Sequence, residues 1–227
     1  MEEPRSVAAA PDVGTSRDGE VERQWLAMLQ RVTSGVAHEL RNALNGVAVN
    51  LEVVRSRSGR EGLAASALGS FAGSASDQLE QVIVMTDALM ALARAGQEPP
   101  SIGRTTDQVA ALVRPVLVAN GGTLDLMVEG EGTTRVPAVA ARLFIAATVL
   151  AAMNATRETD SAKESGASLS CRVRPASEGG RENGVELRVE GAFARTPTLD
   201  ATLATLAKDY GVGVQPAERS ITSTFPA

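Results

Sequence analysis

The sequence predicts an α+β protein in two parts: a long helical hairpin that pairs with a second copy as a four-helix bundle, and an α/β sandwich behind it. Three observations carry this. Between residues 20 and 95 apolar side chains recur every three or four positions, the spacing of one helix face. Beyond the Gly/Pro stretch "AGQEPPSIG", helical and alternating patterns interleave. With 44% hydrophobic but only 3% aromatic residues, the core must be built from Ala, Val and Leu.

Residues 1–19 are rich in Pro, Gly, Ser and charge, the composition of a disordered tail. From Glu20 the series Trp25, Leu29, Val32, Val36, Leu40, Leu44, Val47, Leu51 and Val54 predicts one helix to about residue 57. "SRSGREG" supplies a turn. A second series, Leu63, Ala67, Phe71, Ala75, Leu79, Val82, Thr86, Leu89 and Ala93, predicts the returning helix. Gly69 and Gly73 weaken it by about 1 kcal/mol each relative to Ala. Two helices alone bury two apolar stripes poorly, so residues 20–95 are expected to form a homodimer. Residues 96–103 read as a linker.

The remainder, 104–227, reads element by element. "TTDQVAALVRPVL" is a helix with a Thr cap, "NGG" a turn and "TLDLMVEG" a strand. "VPAVAARLFIAATVLAAMNATRE" is a helix with Pro137 near its start. "ASLSCRVRP" and "GVELRVEG" are strands joined by the polar "ASEGGREN". "TLDATLATLAKDYG" is a helix that Gly211 can cap, and "GVQP" and "SITSTFP" are closing strands.

Composition narrows the function classes. Net charge is −5, and no basic run is interleaved with aromatics, which argues against a nucleic-acid partner. Cys171 is the only cysteine, so neither an internal disulfide nor a cysteine metal cluster is available. The N-terminus lacks an apolar core and is not a signal peptide. The longest apolar run, "LFIAATVLAAM", is too short to span a bilayer. These features lead to the expectation of a cytoplasmic protein with no membrane partner.

The only histidine, His38, lies in "VTSGVAHELRNALNGV". At about 100° per residue it sits roughly 200° from both Val36 and Leu40, so it points away from the apolar seam. Arg31, Ser34, Asn42 and Asn45 fall within about 40° of it and form a polar, open stripe. Periodicity alone is equally met by an ordinary solvated face.

"SGVAHELRNALNGV" closely resembles the H-box of the dimerisation and phosphotransfer domain of two-component histidine kinases. The likeness covers His38-Glu39-Leu40-Arg41-Asn42, the small residues before it and the apolar residues after it. It departs at Ala43, where that family usually has Pro. The resemblance implies that His38 is phosphorylated, that Glu39 holds the other ring nitrogen and assists as a base, and that Asn42 orients a water. The chemistry suits the residue: a neutral imidazole, with an ordinary pKa of about 6.5, offers a lone pair near neutral pH.

The likeness weakens in the second part. In the kinases' ATPase-like domain an Asn-rich helix holds magnesium. Here Asn154 matches the second Asn, and Leu150 stands in place of the first. Where Asp-x-Gly-x-Gly contacts adenine, the sequence reads "VEGAFA", with Glu190, Ala192 and Ala194 at the motif positions. No Gly-rich phosphate loop precedes "TLDATLATLAKDYG". The chain therefore resembles histidine phosphotransferases derived from histidine kinases: a phosphotransfer hairpin followed by a degenerate ATPase-like α/β sandwich. That resemblance implies phosphoryl transfer through His38 between aspartates of receiver domains, in response regulators or hybrid kinases, with no ATP or other cofactor and no metal. Two other readings stay open: a non-catalytic pseudokinase regulator that sequesters a partner, and a degenerate sensor kinase that still binds nucleotide. If the hairpin turns near Gly59, His38 lies opposite Glu80. Asp77, Gln78 and Gln81 would then border it, beside Ser34, Arg41, Asn42 and Asn45, as the receiver-binding surface.

Overall fold

A computed structural model of the chain describes residues 13–58, 65–94, 100–130, 132–156, 168–178 and 181–227. Helices α1 (Val13–Ser58) and α2 (Ala65–Ala93) form the hairpin. Behind them follow α3 (Ile102–Ala119), β1 (Thr123–Val128), α4 (Ala138–Thr156), β2 (Ser168–Glu178), β3 (Arg181–Gly191), a helix here called α5 (Ala201–Asp209), β4 (Gly213–Ala217) and β5 (Ser220–Pro226). The strands make one sheet in the order β1-β2-β3-β5-β4, parallel at β1/β2 and antiparallel elsewhere.

Strand alternation sorts the sheet's two faces. Leu169, Cys171 and Val173 on β2, Val185, Leu187 and Val189 on β3, and Ile221 and Phe225 on β5 are buried under the helices. The other face carries charge. Arg174 pairs with its cross-strand neighbour Glu186 at 2.9 Å, and Arg188 with Glu190 at 2.8 Å. Within the core, the Thr148 and Ser223 hydroxyls meet at 2.7 Å and tie α4 to β5. The Cys171 thiol is pushed up to about 12 by burial, the nearby Arg114 opposing the shift. A thiol so placed is unreactive.

Helix α4 is nearly continuous in apolar residues. Counted as a whole it is long and apolar enough to cross a membrane, but 67% of its most apolar window is buried inside this fold. It is the core helix between the sheet and the hairpin.

Several boundaries differ from the sequence reading. Helix α1 begins at Val13, not near residue 20. Residues 13–19, expected in the disordered tail, are helical because α1 lies along the sandwich there. Val21, Trp25 and Met28 are buried, and the Tyr210 hydroxyl just after α5 donates to Asp18 Oδ1 at 2.6 Å. Residues 1–12 lie outside the described residues. Helix α3 starts at Ile102, inside the expected linker, and its cap is Ser101 rather than a Thr. The Ser101 hydroxyl accepts from the Arg104 amide at 3.2 Å, satisfying one orphan donor of the first turn. Thr105 and Thr106 are buried instead, and Thr106 bonds back to the Ile102 carbonyl. The expected "ASEGGREN" loop shrinks, since β2 and β3 remain paired out to Glu178 and Arg181. The "NGG" turn forms as expected, with Gly121 at φ 76°, a left-handed conformation that glycine adopts freely.

Candidate functional site

Helix α1 carries His38 at a point where its surroundings change. Towards the N-terminus, the helix packs on α3, α4 and α5. Val116 of α3 lies against Gly35, where an added Cβ would sit 3.7 Å from its methyl. Towards the C-terminus, α1 packs only on α2. The helix continues unbroken through Ala43, the position where the resemblance supplies a helix-bending Pro.

The side chain of His38 is exposed, as the periodicity requires. Arg31, Ser34, Arg41, Asn42 and Asn45 are exposed with it on the same side of α1, while Glu39, about 100° further round, is half-buried. No hydrogen bond joins His38 to Glu39. The site is thus an open imidazole on a rigid helix, accessible to a large partner.

The structure does not place the second helix as expected. Gln78 donates no bond near His38. Instead its Oε1 accepts from Asn50 Nδ2 at 3.1 Å, and its amide lies over Gly46 so closely that any Cβ there would collide with it. Near the turn, the Arg57 guanidinium sits 5.2 Å from the centre of the Phe71 ring. This register puts His38 level with about residues 86–90, not Glu80, taking equal rise along both helices. Helix α1 runs through Ser58, and Gly59, the expected turn, lies outside the described residues. Gln78 lies about 12–18 Å along the hairpin from His38, with Asp77 beside it and Gln81 one turn nearer. Ser34, His38, Arg41, Asn42 and Asn45 come together; Asp77, Gln78 and Gln81 form a separate patch below them.

At the sandwich end, Asn154 is half-buried where α4 meets α1. It lines two small cavities. One, of about 160 Å³, is bounded by Met28, Arg31, Leu150, Asp200 and Leu203 among others. The other, of about 110 Å³, lies between Arg31, Gly35, Val116 and Met153. Glu190 is on the outer face of the sheet, paired with Arg188. The segment after β3 is tied to the end of α4 by the Ala194 amide, which donates to the Ala155 carbonyl at 2.8 Å. Among the described residues no three His, Cys, Asp or Glu side chains converge as metal ligands would.

Sequence reading missed two features. Arg31 was recognised only as part of the stripe, although it lines the cavities between α1 and α4. The docking of residues 13–30 on the sandwich was also missed. Its one available signal was that Val21, Trp25 and Met28 extend the apolar series beyond the length the returning helix can cover.

The chain matches no family model and no curated protein. Solved structures similar to it include the catalytic domain of the histidine kinase ThkA, at 11% identity over 57% of this chain and 95% of that one, with a TM-score of 0.43. Another is the blue-light activated histidine kinase EL346 of Erythrobacter litoralis, at 13% identity over 86% of this chain and 62% of that one, TM-score 0.42. A third is the Acinetobacter baumannii histidine kinase AdeS, at 13% identity over 83% of this chain and 97% of that one, TM-score 0.35.

Proposed function

We propose that the protein is a histidine phosphotransferase of a two-component phosphorelay, in which His38 carries a phosphoryl group between receiver-domain aspartates without using ATP. The observation that carries this reading is the exposed His38 followed by the half-buried Glu39 on the hairpin. A ring nitrogen of His38 attacks the phosphorus of an aspartyl phosphate, the P–O bond breaks and the carboxylate leaves. The reverse step delivers the group to a second aspartate. Such transfer depends on positioning an in-line nucleophile, which a fixed helix provides. In this reading Glu39 orients and assists the imidazole, and Asn42, one turn on, holds a water that hydrolyses the partner's phosphate.

Independence from ATP is supported by the sandwich. A drug-sized ligand occupies pockets of roughly 300–1,000 Å³. The spaces beside Asn154 are about 160 and 110 Å³, and α1 itself forms one wall of each. Glu190, at the position that would contact adenine, is turned outward to Arg188. A wider pocket of about 450 Å³ lies beside Ala192, Ala194 and Arg195, so in this reading independence from ATP rests on Glu190, Ala192 and Ala194 standing where the kinases carry Asp-x-Gly-x-Gly.

Dimerisation through the hairpin is supported by a second stripe. Leu44 and Leu51 on α1 are 49% and 53% exposed, and Leu79, Ile83 and Met90 on α2 are 46%, 52% and 53% exposed. Each set falls on one helix face, and Leu44 lies about 120° round α1 from His38. A second copy seated on this stripe leaves the histidine open.

The test is incubation of the full chain with phosphorylated receiver domains and, separately, with γ-labelled ATP and Mg²⁺. The expected result is acid-labile phosphate on His38 from a receiver and none from ATP. His38→Gln should bind the same receiver and carry no phosphate. Transfer by that variant would refute the role of His38, and labelling from ATP would restore the kinase reading.

A further inference from the structure

We infer that the His38 face is a docking surface for an anionic partner surface, and that Arg31, seated on the sandwich, is the charge that steers the partner onto it. This rests on the phosphotransfer reading and adds the residue that guides encounter. Within about 60° of His38 round α1 and about 10 Å of it along the helix axis lie two cations, Arg31 and Arg41, and no acid, in a chain whose net charge is −5. Of the nearby acids, Glu39 is round the helix and half-buried, and Asp87 is exposed on α2 at about the level of His38. Asp200, across the cavity from Arg31, is engaged as the cap of α5, accepting from the Leu203 amide at 2.9 Å.

Arg31 itself forms no ion pair or side-chain hydrogen bond among the described residues. It lines both cavities together with Leu150 and Asn154, and the residue as a whole remains exposed. Its long stem can lie along apolar surface while the cationic head stays in water. Arg31 lies about 10 Å along the helix from His38, within one Debye length at about 0.1 M salt. The group meeting His38 is anionic in either direction of transfer, as an aspartyl phosphate or as a free carboxylate. A cation on the face of the nucleophile favours both encounters, and its effect falls on association rate and salt dependence.

The test uses the full chain and the phosphorylated receiver domain that loads His38 in the experiment above. For Arg31→Glu the second-order transfer rate should fall about tenfold at about 0.05 M salt and recover to within about twofold at about 0.5 M. Arg31→Gln should lose about threefold, and Arg31→Lys should stay near the parent. Loading of His38 by phosphoramidate, which needs no docking, should be equal in all of them. An Arg31→Glu protein with the parent's rate and salt dependence overturns the inference alone. So does a loss that persists at high salt or extends to phosphoramidate, which would mark Arg31 as a support of the fold. A parent that accepts nothing from any receiver overturns both the inference and the reading beneath it.

Discussion

The two halves of α1 carry the same apolar periodicity and use it differently. In the N-terminal half, Val21, Trp25, Met28 and Val36 are 3%, 7%, 5% and 1% exposed, closed within the chain. In the C-terminal half, Leu44 and Leu51 stay about half exposed because α2 covers only one side of the helix. The two stripes share one spacing but lie on different sides of α1, and a sequence pattern states that a face wants covering without stating what covers it. The first stripe unites hairpin and sandwich; the second stays exposed, and the proposed dimer would cover it.

Three substitutions sharpen the contrast. The largest effect should come from Leu44→Asp. A charge at the centre of the hairpin stripe is tolerated in water but not in an apolar interface. The mass by light scattering should halve while the helical circular dichroism persists. A dimer of unchanged mass would show that this stripe is not the interface.

Trp25→Ala should do the opposite. Emptying an indole site costs about 3–5 kcal/mol, and denaturant titration should show that loss with the oligomeric state retained at low denaturant. If stability is unchanged, the N-terminal half of α1 does not pack on the sandwich as described.

Tyr210→Phe should have the smallest effect. It removes the hydroxyl that donates to Asp18 at a cost of about 0.5–1.5 kcal/mol. The contact also has a pH signature. Burial, then the bond to Asp18, pushes the Tyr210 hydroxyl up to about 12 from 10.0. The folded state therefore holds this proton more tightly than the unfolded state. The contribution is complete below pH 10 and lost as pH rises towards 12. Alkaline unfolding of the Phe variant should lack that component. Identical curves for the two proteins would remove Tyr210 from the account.

Much of this was legible in the sequence because it depends on local repeats. Buried Cys171 and exposed Arg172 follow the alternation of a strand, and helix periodicity puts His38 outward. What was not legible depends on partners distant in sequence. Residues 13–19 contain Gly14, Gly19, Thr15 and Ser16, poor helix formers, and the contact with Tyr210 lies at the far end of the chain. The cap passed from the threonines to Ser101 because Thr105 and Thr106 are drawn into the core. The hairpin register depended on where the chain turns, and a shift of a few residues there moved Gln78 more than two helical turns away from His38. The place of Arg31 beside cavities shared with Leu150 and Asn154 of α4 depends on residues more than a hundred positions away.

The bond between Asp18 and Tyr210 joins residues 192 positions apart. A ribosome adds roughly 5–20 residues per second, so the early apolar stretch around Trp25 emerges about ten seconds or more before α5, which helps to cover it. Contacts this distant in sequence slow folding, and an uncovered apolar helix is an aggregation hazard while it waits. A chaperone that holds the N-terminal end of the nascent chain would shield Val21, Trp25 and Met28 until the sandwich that buries them is made.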